Sequence, residues 1–135
     1  MSEGRNPMVI GLGCQRGCPA SVLMGLIDVC LLEQRVRLSD ISALASIDSK
    51  SSEAGLLELA EHLRLPLVFF SAAELAPFET QLSHRSQVAF DNTGCYGVAE
   101  SAALAMVSRL SGAPARLMIP RRNSSRATFA LATTL

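Results

Sequence analysis

Short strand-like runs alternate with helix-like segments along this chain, and that alternation restricts its fold more than any other feature. Met8 to Gly11 reads as a short buried strand that leads into the glycine-rich string GLGCQRGC. Pro19 suits a first helical position, and Ala20 to about Gln34 is apolar with few polar breaks. A helix of that kind is buried on more than one side or packs against a partner. Ser39-Asp40 opens the run ISALASI, read as one helical turn and then a strand. Leu56, Leu57, Leu59, Ala60 and Leu63 give Ser51–Leu63 a helical spacing. Pro66 to Phe70 is rich in strand formers, and Ser71-Ala-Ala-Glu-Leu reads as a capped single turn. The polar stretch from Gln81 to Gly94 reads as a loop with a short strand at Gln87–Phe90. Gly94-Cys-Tyr-Gly then introduces a second apolar helix, Val98 to about Leu110, whose alanines allow close approach to a sheet. Arg116–Ile119 and Thr128–Thr133 read as two strands joined by the polar loop PRRNSSR.

This order predicts an α/β fold: a single three-layer domain with a mostly parallel sheet flanked by helices. The last two strands are close enough in sequence to pair antiparallel. At 135 residues the chain is long enough for one domain with a real core. That domain is taken as residues 8–135, after a flexible N-terminus at 1–7. With 49% apolar residues, 4% aromatics and no tryptophan, alanine and leucine must fill the core.

Net charge is zero, which argues against a protein that grips nucleic acid by its backbone. The start, MSEGRNP, is polar and unlike a secretory leader. The longest apolar stretch, Val22 to Leu32, carries Asp28 and is too short to span a bilayer. A cytoplasmic protein with reduced thiols and no membrane contact is the expectation. Cys14 and Cys18 are spaced C-x3-C without a second pair or matching histidines, so no metal site is predicted. Cys30 and Cys95 are read as small core residues, and His62 and His84 receive no role.

Four polar or glycine-rich stretches adjoin apolar elements: Gly11–Gly17, Asp48–Glu53, Asn92–Gly97 and Arg121–Arg122. Ligands of open α/β sheets bind beyond the carboxyl ends of the strands, so these four suggest one shared rim. Lys50 is the single lysine beside eleven arginines. It reads either as a solvated surface residue or as a compact point charge for an anion near a helix start. Asp48 and Glu53 have two readings, as helix-start residues or as a general base with Lys50 as electrostatic stabiliser. No acidic residue follows Glu100, yet Arg109, Arg116, Arg121, Arg122 and Arg126 do, which reads either as a solubility bias of the C-terminal segment or as a local carboxylate or phosphate site. Gly11, Gly13 and Gly17 spell GxGxxxG, which is neither the dinucleotide fingerprint nor a GxxxxGK[ST] loop, so no cofactor is predicted. They form either an anion-cradling turn beside Arg16 or a tight turn that needs glycine. The expected ligand contacts are Gly11, Gly13, Cys14, Arg16, Gly17, Asp48, Lys50, Glu53, Asn92, Thr93, Gly94, Glu100, Arg121 and Arg122. Lys50 and Glu53 are the candidate catalytic pair.

The strings GLGCQRG, LASIDSKSSEAGLLELA, PLVFFSAAEL, GVAESAAL and ATFALA run in an order that resembles the C-terminal domain of the CbiG family. The resemblance covers Val9 to about Ala132. It implies a role in building the corrin ring of cobalamin in the cytoplasm. Family members fused to an N-terminal domain are associated with opening a cobalt-precorrin lactone and releasing acetaldehyde; the expectation is that this chain works without such a domain. Near PRRN, a lysine common in relatives is arginine here. The expected partner is a carboxylated precorrin or related corrinoid, bound by a carrier, accessory protein or enzyme. The alternatives are a hydrolase acting on the precorrin lactone, and a scaffold that docks other cobalamin-pathway enzymes without a ligand. A homo-oligomer is compatible with each.

Overall fold

The computed structural model describes residues 6–135. The expected flexible N-terminus therefore lies, for residues 1–5, outside the described residues. Five strands, β1 (Val9–Cys14), β2 (Ala43–Ile47), β3 (Leu67–Phe70), β4 (Ala115–Asn123) and β5 (Ala127–Thr134), form one sheet in the order β3-β2-β1-β5-β4. β1 pairs parallel with β2, and β2 with β3, while β5 is antiparallel to both β1 and β4. Four strands thus run one way and β5 alone opposes them, the mostly parallel sheet with an antiparallel C-terminal pair.

Helices close both faces. α1 (Ala20–Gln34) and α2 (Ala54–Leu63) cover one, and α5 (Val98–Ser111) with the single turn α3 (Ala72–Leu75) covers the other. The period of two along each strand sorts the core by size. Ile10, Leu12, Leu44, Phe129 and Leu131 meet α1 and α2. Val9, Ala43, Ala45 and Ala132 meet α5, which answers with Ala102, Ala103 and Val107. Small against small brings helix and sheet close together. A Cβ on Gly11 would lie 1.8 Å from the carbonyl oxygen of Ala99, so only glycine fits where α5 crosses β1.

Several elements differ from the expectation. β1 continues to Cys14, so Gly11 and Gly13 are sheet residues paired with Ala130 and Thr128 rather than parts of a turn. The segment expected to hold a strand at Gln87–Phe90 is a helix, α4 (Gln87–Thr93). The Ser86 hydroxyl accepts from the Ala89 amide at 3.1 Å, and Gly94 ends the helix at φ 81°. Phe90 is held from outside by stacking on Tyr96, with ring centroids 4.4 Å apart. Ser51 does not open a helix: a 3-10 turn spans Asp48–Lys50, and α2 begins at Ala54. β4 runs on through Pro120, Arg121 and Arg122, which the sequence suggested as loop. Proline is tolerated there because β4 is an edge strand with register irregularities around Pro120.

Candidate functional site

The strand order reverses beside β1. The chain leaves β1 for β2 and β3 on one side, then returns through α5 to β4 and β5 on the other. A crevice opens at such a reversal, beyond the carboxyl ends of the parallel strands. Here a cleft of about 700 Å³ occupies it. The ends of β1 and β2 supply Cys14 and Ile47, followed by Arg16, Ser49 and Lys50. The first turn of α5 supplies Val98, Ala99 and Glu100; α4 and the following turn supply Val88, Ala89, Asn92, Thr93 and Tyr96. The β4–β5 hairpin closes the far side with Arg121, Asn123, Arg126 and Thr128.

The charge in the cleft is one-sided although the chain is neutral. Arg16, Lys50, Arg121 and Arg126 line it, and Glu100 is its only carboxylate among the described residues. Glu100 is 1% exposed. It accepts from the Ser83 amide at 2.8 Å, from the Ser83 hydroxyl, and from the Arg121 amide at 2.7 Å. Those bonds tie α5 to the segment before α4 and to β4. The Arg121 side chain is the counterpart: its Nε is buried without a hydrogen-bond partner, and it forms no salt bridge among the described residues.

Of the expected contacts, Gly13, Cys14, Arg16, Lys50, Asn92, Thr93, Glu100 and Arg121 line the cleft, whereas Gly11, Gly17, Asp48, Glu53, Gly94 and Arg122 do not. Each exception has a local cause. Gly11 lies under α5. Gly17 donates its amide to Glu53 Oε2 at 3.0 Å and accepts from Arg126 Nη2 at 3.0 Å. Glu53 is thus held to the β1–α1 turn, and no salt bridge joins it to Lys50 among the described residues. Asp48 is exposed, and its carbonyl closes the turn to Ser51. Gly94 ends α4. Neighbouring strand residues face opposite ways, so Arg122 leaves the cleft that Arg121 enters and bonds Glu33 of α1. That hydrogen bond holds the Glu33 carboxyl below its ordinary range.

Arg126 also lines the cleft, and the acid-free run of arginines at the end of the chain is the sequence signal that points to it. Val88 and Tyr96 carried no signal, because they reach the site through the unexpected helix α4 and the turn after it, and neither did Ser83, which bonds Glu100 from the segment before α4.

Cys14 lines the cleft but is a poor nucleophile. Burial, and then the neighbouring Cys18, push its thiol up to about 11, with Lys50 opposing. Against an ordinary 9.0, that shift leaves about one hundredth of the usual thiolate at pH 8. Alkylation of Cys14 by iodoacetamide is therefore expected to be about a hundredfold slower than that of a model thiol, rising with pH up to about 11. Peptide mapping of the labelled protein at pH 8 and pH 10 checks this; equal rates at both would contradict it.

Residues 8–132 match the model of the family described as cobalamin synthesis G C-terminus. The chain belongs to that family. It is 37% identical over 125 residues to Protein CobE of Sinorhizobium sp, covering 93% of this chain and 79% of that protein. It is 36% identical over 97 residues to the cobalt-precorrin-5A hydrolase of Priestia megaterium, covering 72% of this chain but 25% of the hydrolase. The matched segment is thus about a quarter of that longer relative. Among solved structures, CobE, described as a protein from the cobalamin (vitamin B12) biosynthetic pathway, matches with a TM-score of 0.92 and 43% identity. That match covers 96% of this chain and 92% of the other. The cobalamin biosynthesis protein chiG from Agrobacterium tumefaciens matches with a TM-score of 0.70 at 31% identity, over 94% of this chain and 98% of that one. No helix among the described residues is long and apolar enough to cross a membrane.

Proposed function

We propose that the chain binds a carboxylate-bearing, precorrin-type tetrapyrrole in this cleft, as a carrier or accessory protein of corrin-ring construction in the cytoplasm. The observation that carries this reading is the charge of the cleft: four cationic side chains face a single carboxylate that is already held by three donors. Precorrins are flat macrocycles bearing many carboxylates. Ile47, Val88, Tyr96 and Val98 offer an apolar wall for the ring, and the arginines and Lys50 offer a rim for its acidic arms. Membership of a cobalamin-synthesis family supports the same ligand class. Binding is favoured over general-base chemistry because Glu53 is committed to Gly17 and Glu100 to Ser83 and Arg121.

Titration of the protein with purified precorrin intermediates, followed by absorbance and co-elution in gel filtration, tests the proposal. Uptake near one per chain is expected; the absence of any absorbance change or co-elution across the series overturns it. Lys50 gives a sharper test. Lys50→Ala is expected to leave Tm within about 2 °C, as a partly exposed substitution does. It should weaken binding about tenfold or more, because a charge-assisted hydrogen bond contributes roughly 1.5–3 kcal/mol. Lys50→Arg should restore only part, since a planar fork does not replace a compact ammonium. Lost stability with unaltered affinity would make Lys50 a structural residue.

A further inference from the structure

We infer that Arg121 is the residue by which the cleft distinguishes a free carboxylate from a carboxamide on its ligand. This rests on the tetrapyrrole reading for its context, but it stands on a separate observation. Arg121 Nε is the one buried side-chain nitrogen or oxygen without a hydrogen-bond partner among the described residues. Folded proteins rarely leave such a group unsatisfied, and each exception calls for a cause. The backbone holds this one in place. The Arg121 amide is bonded to Glu100 Oε2 at 2.7 Å, and the register of β4 against β5 shifts between Ile119 and Arg122. Arg121 is thereby carried into the cleft while Arg122 turns to Glu33 on the other face.

The chemistry of that edge selects its partner. Nε–H and the adjacent Nη–H form two parallel donors, which match the two oxygens of a carboxylate side-on. A primary amide presents one oxygen and one NH2, so it satisfies one donor and sets N–H against N–H at the other. Arg16 and Lys50 supply charge around the cleft without this constraint: Arg16 is exposed, and Lys50 is a point charge that any orientation of an anion satisfies. The discrimination is therefore local to one acidic arm of the ligand, the one that reaches the β4–β5 side.

Two measurements test this. In ¹⁵N-labelled protein the Arg121 Nε–H signal, assigned by its loss in Arg121→Lys, is followed during titration with tricarballylate and with its triamide. It is expected to move with the acid and not with the amide. Separately, uroporphyrin I, an octacarboxylate macrocycle, is titrated into wild type, Arg121→Met, Arg121→Lys and, as a control on the same strand, Arg116→Met. Arg121→Met should lose at least tenfold in affinity while melting no lower than wild type, because it removes an unpartnered donor. Arg121→Lys should recover less than half of that loss, and Arg116→Met should bind as wild type. If uroporphyrin binds all four proteins alike and the Nε–H signal stays fixed, the role of Arg121 is overturned and the tetrapyrrole reading stands. If uroporphyrin is not taken up but the signal moves with tricarballylate alone, the tetrapyrrole reading falls and the carboxylate receptor stands. A signal that answers acid and amide equally removes the discrimination, and no response in either measurement overturns both.

Discussion

Gly11→Ala is expected to destabilise the protein by about 3 kcal/mol or more and to lower Tm by roughly 10 °C or more. The added Cβ would stand 1.8 Å from the Ala99 carbonyl oxygen, 2.8 Å from its carbon and 2.9 Å from the Ala103 amide nitrogen. All three are backbone atoms of α5, so no rotamer change relieves the contact. The helix would have to lift, and it is packed against β1, β2, β4 and β5 at once. Gly25→Ala provides the opposite case. Gly25 is exposed within α1, and a Cβ there meets nothing within 4 Å. Alanine should stabilise that helix by about 0.5–1 kcal/mol, through its higher helix propensity and a less flexible unfolded chain. Denaturant unfolding of the two variants beside wild type gives the comparison. A Gly11→Ala protein melting within about 2 °C of wild type would mean that α5 does not sit against β1 as described.

The second large effect is expected at Glu100. Glu100→Ala leaves the Ser83 amide, the Ser83 hydroxyl and the Arg121 amide without their acceptor in a part-buried setting. Hydrogen bonds to a charged group contribute roughly 1.5–3 kcal/mol each, so a loss of about 3 kcal/mol or more follows even with partial relaxation. Glu100→Gln keeps the shape but offers a single acceptor oxygen, and its NH2 would face a donor. It should fall between wild type and alanine. The effect extends to the cleft, since Glu100 fixes both the approach to α4 and the strand that carries Arg121. Chemical denaturation gives the stability series. Glu100→Ala within about 1 kcal/mol of wild type would show that these bonds do not secure the two walls.

The sequence made the layers legible and the site only in part, for physical reasons that differ by segment. The long apolar helices and β2, β3 and β5 were readable because their periodicity is dictated by burial on the sheet. α4 was not: Gln87-Val-Ala-Phe-Asp-Asn-Thr has several poor helix formers and depends on the Ser86 cap and on the stacking of Phe90 on Tyr96. Nothing local announces that stacking. Gly11 and Gly13 looked like a turn because glycine usually marks one; here both lie inside a strand, and at Gly11 a helix from far along the chain demands glycine. Arg121 and Arg122 looked like a pair, and the alternation of strand residues divided them between opposite faces. The single lysine and the late arginines did indicate a cationic rim, since charge without nearby acid leaves a mark in composition. The strand order, which brings Arg126 and Arg121 into the same cleft as Lys50, has no such mark.

β5 lies between β1 and β4, although it is the last of the five strands in sequence. One backbone edge of β1 therefore has no partner until residues 127–134 have been made. At roughly 5–20 residues per second, the 113 residues from Cys14 to Ala127 take about 6 to 23 s to synthesise. During that interval the nascent chain presents an apolar strand, Val9–Cys14, with an open edge that any passing strand could pair with. Substitutions in β5 would then act first on the yield of soluble protein, through crowded ribosomes and chaperone supply, before they act on anything the cleft does.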